Sequence, residues 1–419
     1  LRYGGYIMEL NVVKAEEKGY KALLKYKDFI KIWVGNTISR FGDAIDSIAF
    51  LWMVYEMTGS TLMMGTVMAV NATPAVIFGM MAGVLVDRMD KKKVMIITDL
   101  LRGISTAMMA FLYISGMIRL WHLYVFTFVN SCCEIFSSPA KASAMQILVD
   151  KKHYLTANSL RQASSSVAEI AGTAVAAIVM GYLGIGVAIL IDSVTFFISS
   201  FTAIIAKLEV SSNRNTPLNV KQFYCEFTEG LTVIKSNVVL LVSLTMVCLV
   251  NLVLAPFNVL MPEYSDKILM AGERGMSLIL MSFTIGMVAG SLIIGQIGHK
   301  FKKSTLVITG FIGLGAGMML FGFIDNLQLA CVAAVVAGAF IPVISGSAMT
   351  LMQESTPLDK MGRVSSTAST LSLLGLPLGY AVSGIMSYGI NVLTTFKFVG
   401  ILIVLVAIPP LFIREFRKD

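Results

Sequence analysis

Apolar residues run through the chain in blocks of about twenty, divided by short clusters of charged and turn-forming residues. Twelve blocks can be placed, at approximately residues 30–57, 61–86, 94–116, 121–144, 160–181, 185–206, 238–262, 275–298, 304–324, 327–350, 364–388 and 391–413. Each is long enough to cross the roughly 30 Å of bilayer hydrocarbon as a helix. A membrane barrel would instead need alternating segments of about ten residues, and that alternation is not present. The pattern predicts an all-α integral membrane protein of twelve transmembrane helices. In a chain of 419 residues these spans leave no room for a separate soluble domain.

The longest polar connection inside the chain, residues 207–237, divides the spans six and six. The predicted organisation is a cytoplasmic N-terminal segment (1–28), a six-helix bundle (29–206), a linker (207–237), a second six-helix bundle (238–413) and a short tail (414–419). Within the linker Val220, Phe223, Phe227, Leu231 and Ile234 recur at helical spacing, which predicts an amphipathic helix on the inner membrane surface. The halves also repeat each other. "SAMQILVDKKHYLTANSLRQAS" (143–164) and "SAMTLMQESTPLDKMGRVSSTA" (347–368) hold equivalent places, and "GVLVDRMDKKKV" (83–94) returns more weakly as "GQIGHKFKKST" (295–305). Two pseudo-symmetric bundles of this kind place a central cavity between the halves. Spans 1, 4, 7 and 10 are expected to line it.

Composition agrees with the pattern: 56% of residues are hydrophobic and only 14% are charged, against about 25% charged in soluble domains. The net charge of +8 would suit a nucleic-acid partner, but its placement excludes that reading. Lysines and arginines concentrate in alternate connections: before span 1, after spans 2, 4, 6, 8 and 10, and at the end of the chain. The positive-inside rule then assigns those connections and both termini to the cytoplasm of a cell-membrane protein. The first 28 residues are polar and basic and do not resemble a cleavable signal.

Charge inside the spans carries the chemistry, because an ionised group at mid-bilayer costs about 2.5–3.5 kcal/mol on insertion scales. Span 1 contains "NTISRFGDAIDSIAF" (36–50). On a helix, Asn36, Arg40, Asp43 and Ser47 fall within about 60° of arc, with Asp46 about 60° further round. Arg40 is expected to neutralise Asp43 as a supporting pair, leaving Asp46 the less obviously paired acid. Span 4 centres a polar stripe on Glu134, flanked by Asn130, and span 5 centres one on Glu169. Asp43, Asp46, Glu134 and Glu169 are the candidate proton-coupling or cation-binding residues. Asn36, Asn130, Asn251 and Asn258 are the candidate cavity-lining amides. Asp99 and Arg102, about one turn apart on span 3, are expected to form a structural pair.

Other chemistries find little footing. His122, His153 and His299 lie on separate connections, and the five cysteines have no metal-like spacing and are expected to be unpaired. No phosphate-cradling glycine loop of the ATPase kind is present. The chain is therefore expected to need no cofactor, to bind no metal, not to be an enzyme and to act as a monomer. The twenty-seven methionines are expected to be mainly apolar filler.

The loop after span 2, Gly83, Asp87, Arg88 and Lys91–Lys93, resembles the "GxLxDRxxxKK" signature of the major facilitator superfamily. Further stretches are similar to the macrolide-efflux and enterobactin-exporter group within it: "ISRFGD" in span 1, "MTGST" after it, "GVLVDRMDKKKVMIITDLLRG" (83–103), "FSSPA" (136–140), "EGLTVIKSN" (229–237) and "QESTPLDKMGRV" (353–364). The resemblance implies the major facilitator fold, with Gly83, Asp87 and Arg88 as a cytoplasmic gate. It also implies a structural role for Asp192. The chain departs from many proton-coupled drug antiporters in having Asn130 in place of a span 4 arginine and Gly172–Thr173 in place of a glycine–proline pair.

The expected function is secondary active transport by alternating access, with protons as the coupling ion and an amphipathic or cationic small molecule exported. A facilitator or symporter, or an exporter of a lipid or siderophore, would use the same fold. A non-transporting receptor or scaffold is the remote alternative.

Overall fold

The computed structural model describes residues 19–150, 153–208, 220–356, 360–413 and 416. A 3-10 turn (Gly19–Lys25) leads into six long helices: α1 (Lys27–Thr58), α2 (Thr61–Arg88), α3 (Lys91–Ile114), α4 (Leu120–Ile147), α5 (Tyr154–Leu183) and α6 (Ile185–Ile205). The linker contributes α7 (Val220–Ser236). The second half comprises α8 (Val238–Glu263), α9 (Gly272–Ile297), α10 (Lys303–Phe321), α11 (Leu327–Glu354), α12 (Met361–Leu373), α13 (Gly375–Gly389), α14 (Val392–Val406) and α15 (Ile408–Phe412).

The helix ends follow from local chemistry. Residue Gly59 closes α1 in the left-handed region, at φ 57°, where a side chain would be strained. The carboxylate of Asp90 accepts from the Lys93 amide at the start of α3, and Asn237, Asn326 and Asn391 cap α8, α11 and α14 in the same manner. Lys92 donates to the Ile204 and Ala206 carbonyls, both at 2.8 Å, placing a cation at the C-terminal end of α6.

Two expected single spans are interrupted. Span 11 divides at Leu374 into α12 and α13, just before Pro377, which has no amide hydrogen to continue the ladder. Span 12 divides at Ala407 ahead of Pro409 and Pro410. Among the described residues, nine helices are long and apolar enough to cross a membrane by composition; α1 and α4 do not qualify. These two carry the polar stripes noted above.

Polarity is arranged inside out relative to a soluble bundle. On α3, Ile97, Leu101, Ile104, Met108 and Phe111 are exposed, whereas Asp99, Arg102 and Thr106 are buried. Lipid, unlike water, rewards that arrangement. Helix α1 packs on α5 and α6, α3 on α4 and α6, and α2 on α4. In the second half α11 packs on α9 and α10, α14 on α10, and α13 on α8. The two sets meet along α5 with α9 and α2 with α13.

The linker helix α7 does not stand alone on a surface. It packs against α12: Arg363 donates to Glu229 at 2.6 Å, and Ile234 is buried with Val364 and Leu240. Phe227 and Leu231 are half-buried, while the side chains of Val220 and Phe223 lie outside the described set. Cys132, Cys133, Cys248 and Cys331 are free thiols.

Candidate functional site

A cavity of about 760 Å3 lies between the two sets of helices, within the range of about 300–1,000 Å3 usual for small-molecule sites. It extends from Leu51 and Met68 at one end to Met145 and Arg161 near the end that bears the basic connections. Its polar wall comes from α1, α4 and α5. Asn36, Arg40, Asp43, Asp46 and Ser47 all open onto it, as the helical spacing predicts, and so do Asn130, Glu134 and Glu169. The opposite wall, from α8 and α9, is apolar and aromatic and includes Leu254, Phe257, Leu280 and Phe283, with Asn258 and Thr284 as its polar points.

Two expectations about the lining are corrected. Among the described residues span 10, which is α11, contributes nothing to the wall; α5 and α9 stand there instead, because α11 is packed behind α9. Asn251 is also displaced from its expected role. Its amide donates to the Ser372 carbonyl at 2.9 Å and fastens α8 to α12, while Asn258, two turns on, lines the cavity together with Tyr380.

Behind the polar wall, α3 and α6 supply groups that rearrange the expected ion pairs. Asp43 accepts from Arg102 at 2.8 Å, whereas Arg40, its expected partner, stands 3.8 Å away. Glu134 lies 3.6 Å from Arg40 and 3.9 Å from Arg102. Two arginines and two carboxylates thus form a closed, charge-balanced set. The Arg102 side chain is 10% exposed and lies over the Phe196 ring at 4.1 Å; Glu134 is 45% exposed and open to the cavity.

Asp99 and Arg102 do not pair with each other. Asp99 is fully buried, bonded to Lys141 at 2.9 Å and to the Ser199 hydroxyl at 2.7 Å. The helix turn that separates them points Asp99 towards α4 and α6, and Arg102 towards α1. Lys141 closes the arrangement from the cavity side.

Among the described residues Asp46 and Asp192 have no ion-pair partner. Asp46 has a buried carboxylate oxygen, Oδ1, with no hydrogen-bond partner, and Asp192 is 2% exposed. Asp192 reaches the site because Gly42 lets α6 approach α1 closely: a Cβ on Gly42 would collide with Thr195 and with the Asp192 carboxylate. Gly172 acts similarly for α5, which crosses α1 against the Phe41 carbonyl and Ala44. In total, Asp43, Asp46, Asp99, Glu134, Glu169 and Asp192 face Arg40, Arg102, Lys141 and Arg161 in and behind the wall. At full ionisation that leaves two surplus negative charges.

At the end opposite the basic connections the two sets of helices are tied directly. The Tyr55 hydroxyl donates to Asp266 at 3.1 Å, joining α1 to the turn after α8. Arg274 of α9 donates to the Gly181 carbonyl at 3.3 Å, and its guanidinium lies 5.3 Å over the Tyr182 ring of α5. Of the expected gate, Gly83 faces open space, so no close approach depends on it here. The Asp87 side chain lies outside the described set, and Arg88 is the last residue of α2.

Arg102, Asp192 and Tyr380 were absent from the expected cavity set, or were assigned elsewhere. The available signal was charge at a depth where charge is costly: Arg102 and Asp192 both sit inside long apolar helices.

A family model described as transmembrane secretion effector matches residues 19–417. Macrolide efflux protein A of Streptococcus pyogenes is 28% identical over 392 residues, covering 93% of this chain and 96% of that protein. The multidrug efflux pump Tap of Mycolicibacterium fortuitum is 24% identical over 386 residues, with 90% and 93% covered. Among solved structures, the nucleoside transporter NupG superposes with a TM-score of 0.75 at 13% identity, covering 93% of this chain and 98% of that one, a likeness of fold alone. With the polar cavity between two six-span halves, the family match over nearly the whole chain decides the assignment: the chain belongs to the transmembrane secretion effector family, a group of multi-pass membrane transporters within the major facilitator superfamily.

Proposed function

We propose that the protein exports amphipathic cations by proton-coupled alternating access. The observation that carries this reading is the two-sided cavity, in which an over-acidic wall from α1, α4 and α5 faces the aromatic wall of α8 and α9. A cation with an apolar body satisfies both walls at once. A macrolide carrying a basic amino sugar has that character, and the macrolide and multidrug relatives add weight.

The surplus acids give the coupling its physical basis. Two uncompensated carboxylates in a dry wall are costly, and binding a proton or a cation relieves the cost in either case. Competition between the two for one site exchanges them across the membrane as the cavity changes sides. Glu134 and Glu169, exposed to the cavity, are assigned to first contact with the cation, and Arg40 and Arg102 hold Asp43 in place. The ties at Tyr55–Asp266 and Arg274–Gly181 are assigned to the outer side, which makes the described state open towards the cytoplasm. The lining groups Met145 and Arg161 at the basic end favour the same orientation.

The test is transport in proteoliposomes with ethidium, a permanent cation, as probe. An acidic interior is expected to drive ethidium uptake in exchange for outgoing protons, and dissipating the gradient is expected to abolish it. Equal uptake with and without the gradient overturns proton coupling. No ethidium transport under either condition overturns the substrate class.

A further inference from the structure

Three groupings of charge meet at the polar wall, and they differ in balance. Asp43 and Glu134 are matched by Arg40 and Arg102. Asp99 is matched by Lys141 and further held by Ser199. Among the described residues Asp46 on α1 and Asp192 on α6 have no ion-pair partner, and Asp46 acts electrostatically on Asp192, which stands at the close α1–α6 contact one turn away, at Gly42. Both open onto the cavity.

We infer that Asp46 and Asp192 form a carboxyl pair that carries the coupling proton between them. The inference rests on the proton-coupled reading above and goes beyond it by making Asp192, an acid assigned a structural role on sequence, half of the carrier.

Geometry supports the pairing in three ways. The Asp46 Oδ1 is buried and without a partner, so it has an acceptor site to fill. Asp192 is engaged on one side only, where the Thr195 hydroxyl donates to its Oδ1 at 3.2 Å. Gly42, one turn before Asp46, is one of the glycines at which α6 packs tightly on α1, and there the Asp192 carboxylate lies against α1. Two carboxyls held together in a poorly hydrated place resist ionising together, and one proton shared between them removes the repulsion. The charged groups around the pair are Arg40 and Asp43 on α1, Asp99 and Arg102 on α3, Glu134 and Lys141 on α4, and Glu169 on α5. Arg102, the base that acts on both acids, is ion-paired with Asp43 at 2.8 Å.

The exchange balances. In the empty cavity one carboxyl carries the proton while the other is ionised, leaving the pair with a single negative charge. A cation drawn in beside Asp46 compensates the second negative charge. The O–H bond then breaks, the proton leaves through the cavity to water, and the cation remains against two carboxylates. No charge is gained or lost by the wall beyond the exchange of one proton for one cation.

Titration calorimetry of the purified full chain with ethidium, in buffers of low and high ionisation heat, counts the protons released per cation bound. Wild type is expected to release about one. Asp192→Asn and Asp46→Asn are each expected to bind ethidium and to release almost none, because a lone carboxyl beside a neutral amide has no partner to share a proton with. Asp192→Ser stands in if the asparagine variant fails to fold. Wild-type binding without proton release overturns the proton-coupled reading as a whole. Release from wild type and from the Asp192 variant alike, with loss only in Asp46→Asn, overturns the pair and leaves Asp46 acting alone. A folded Asp192 variant that binds no ethidium also overturns it, since Asp192 would then support the pocket instead.

Discussion

Arg102 and Asp43 are 59 residues apart in sequence and 2.8 Å apart in space, bridging α3 and α1 at the wall of the cavity. Breaking a largely buried pair by deleting one partner typically costs about 3–5 kcal/mol, because the other charge is left uncompensated. Arg102→Ala is therefore expected to lower the melting temperature in detergent sharply and to abolish transport. Deleting both residues, as Arg102→Ala with Asp43→Ala, is expected to destabilise less than the sum of the single losses. Additive losses would show that the two do not act as a pair.

Gly42 and Gly83 make opposite predictions although both are small residues in long helices. A side chain on Gly42 meets Thr195 and Asp192, so Gly42→Val is expected to force α1 and α6 apart, at about 1–3 kcal/mol of stability. Gly83 has open space at the same position, and Gly83→Ala is expected to leave folding and yield unchanged. Detergent melting curves of the two variants give the comparison.

Asn251 and Asn258 separate a structural amide from a cavity amide. Asn251→Ala removes a hydrogen bond to the Ser372 carbonyl and is expected to cost about 1 kcal/mol of stability with the apparent KM for ethidium unchanged. Asn258→Ala removes a polar point of the cavity and is expected to raise the apparent KM. A KM change in the first variant, or none in the second, would reverse the assignment.

Tyr55 has a single identified tie across the halves, to Asp266. Tyr55→Phe keeps the ring and deletes the hydroxyl, removing a hydrogen bond to a charged group worth about 1.5–3 kcal/mol. If the tie belongs only to the state described here, its loss is expected to raise the population open at that end about tenfold or more. Spin labels at positions 183 and 270, both exposed at that end, would report it as a longer distance between them. An unchanged distance distribution would remove Tyr55 from the closure.

The helices were largely legible in the sequence because lipid imposes a simple rule. Every span must be long and apolar, and its ends must be polar, so the boundaries of α2, α3, α6 and α8 fall within a few residues of the apolar blocks. The polar face of α1 was legible for the same reason in reverse: charges too costly to meet lipid have to face inward, and Asn36, Arg40, Asp43 and Ser47 do. The breaks in spans 11 and 12 were marked by Pro377, Pro409 and Pro410, a local signal overridden by the continuous hydropathy of those segments.

Partnership was decided elsewhere. Arg102 chose Asp43 over its near neighbour Asp99, and Asp99 chose Lys141, because direction round a helix and the neighbour met there outweigh nearness along the chain. Likewise Gly42 could bring Asp192 to the wall only once α6 was laid against α1. Periodicity along one helix determines which side chains share a face, and this much the chain carried in its own order. Which face of another helix they meet depends on how close two backbones can come, and that was set by small residues packing in three dimensions.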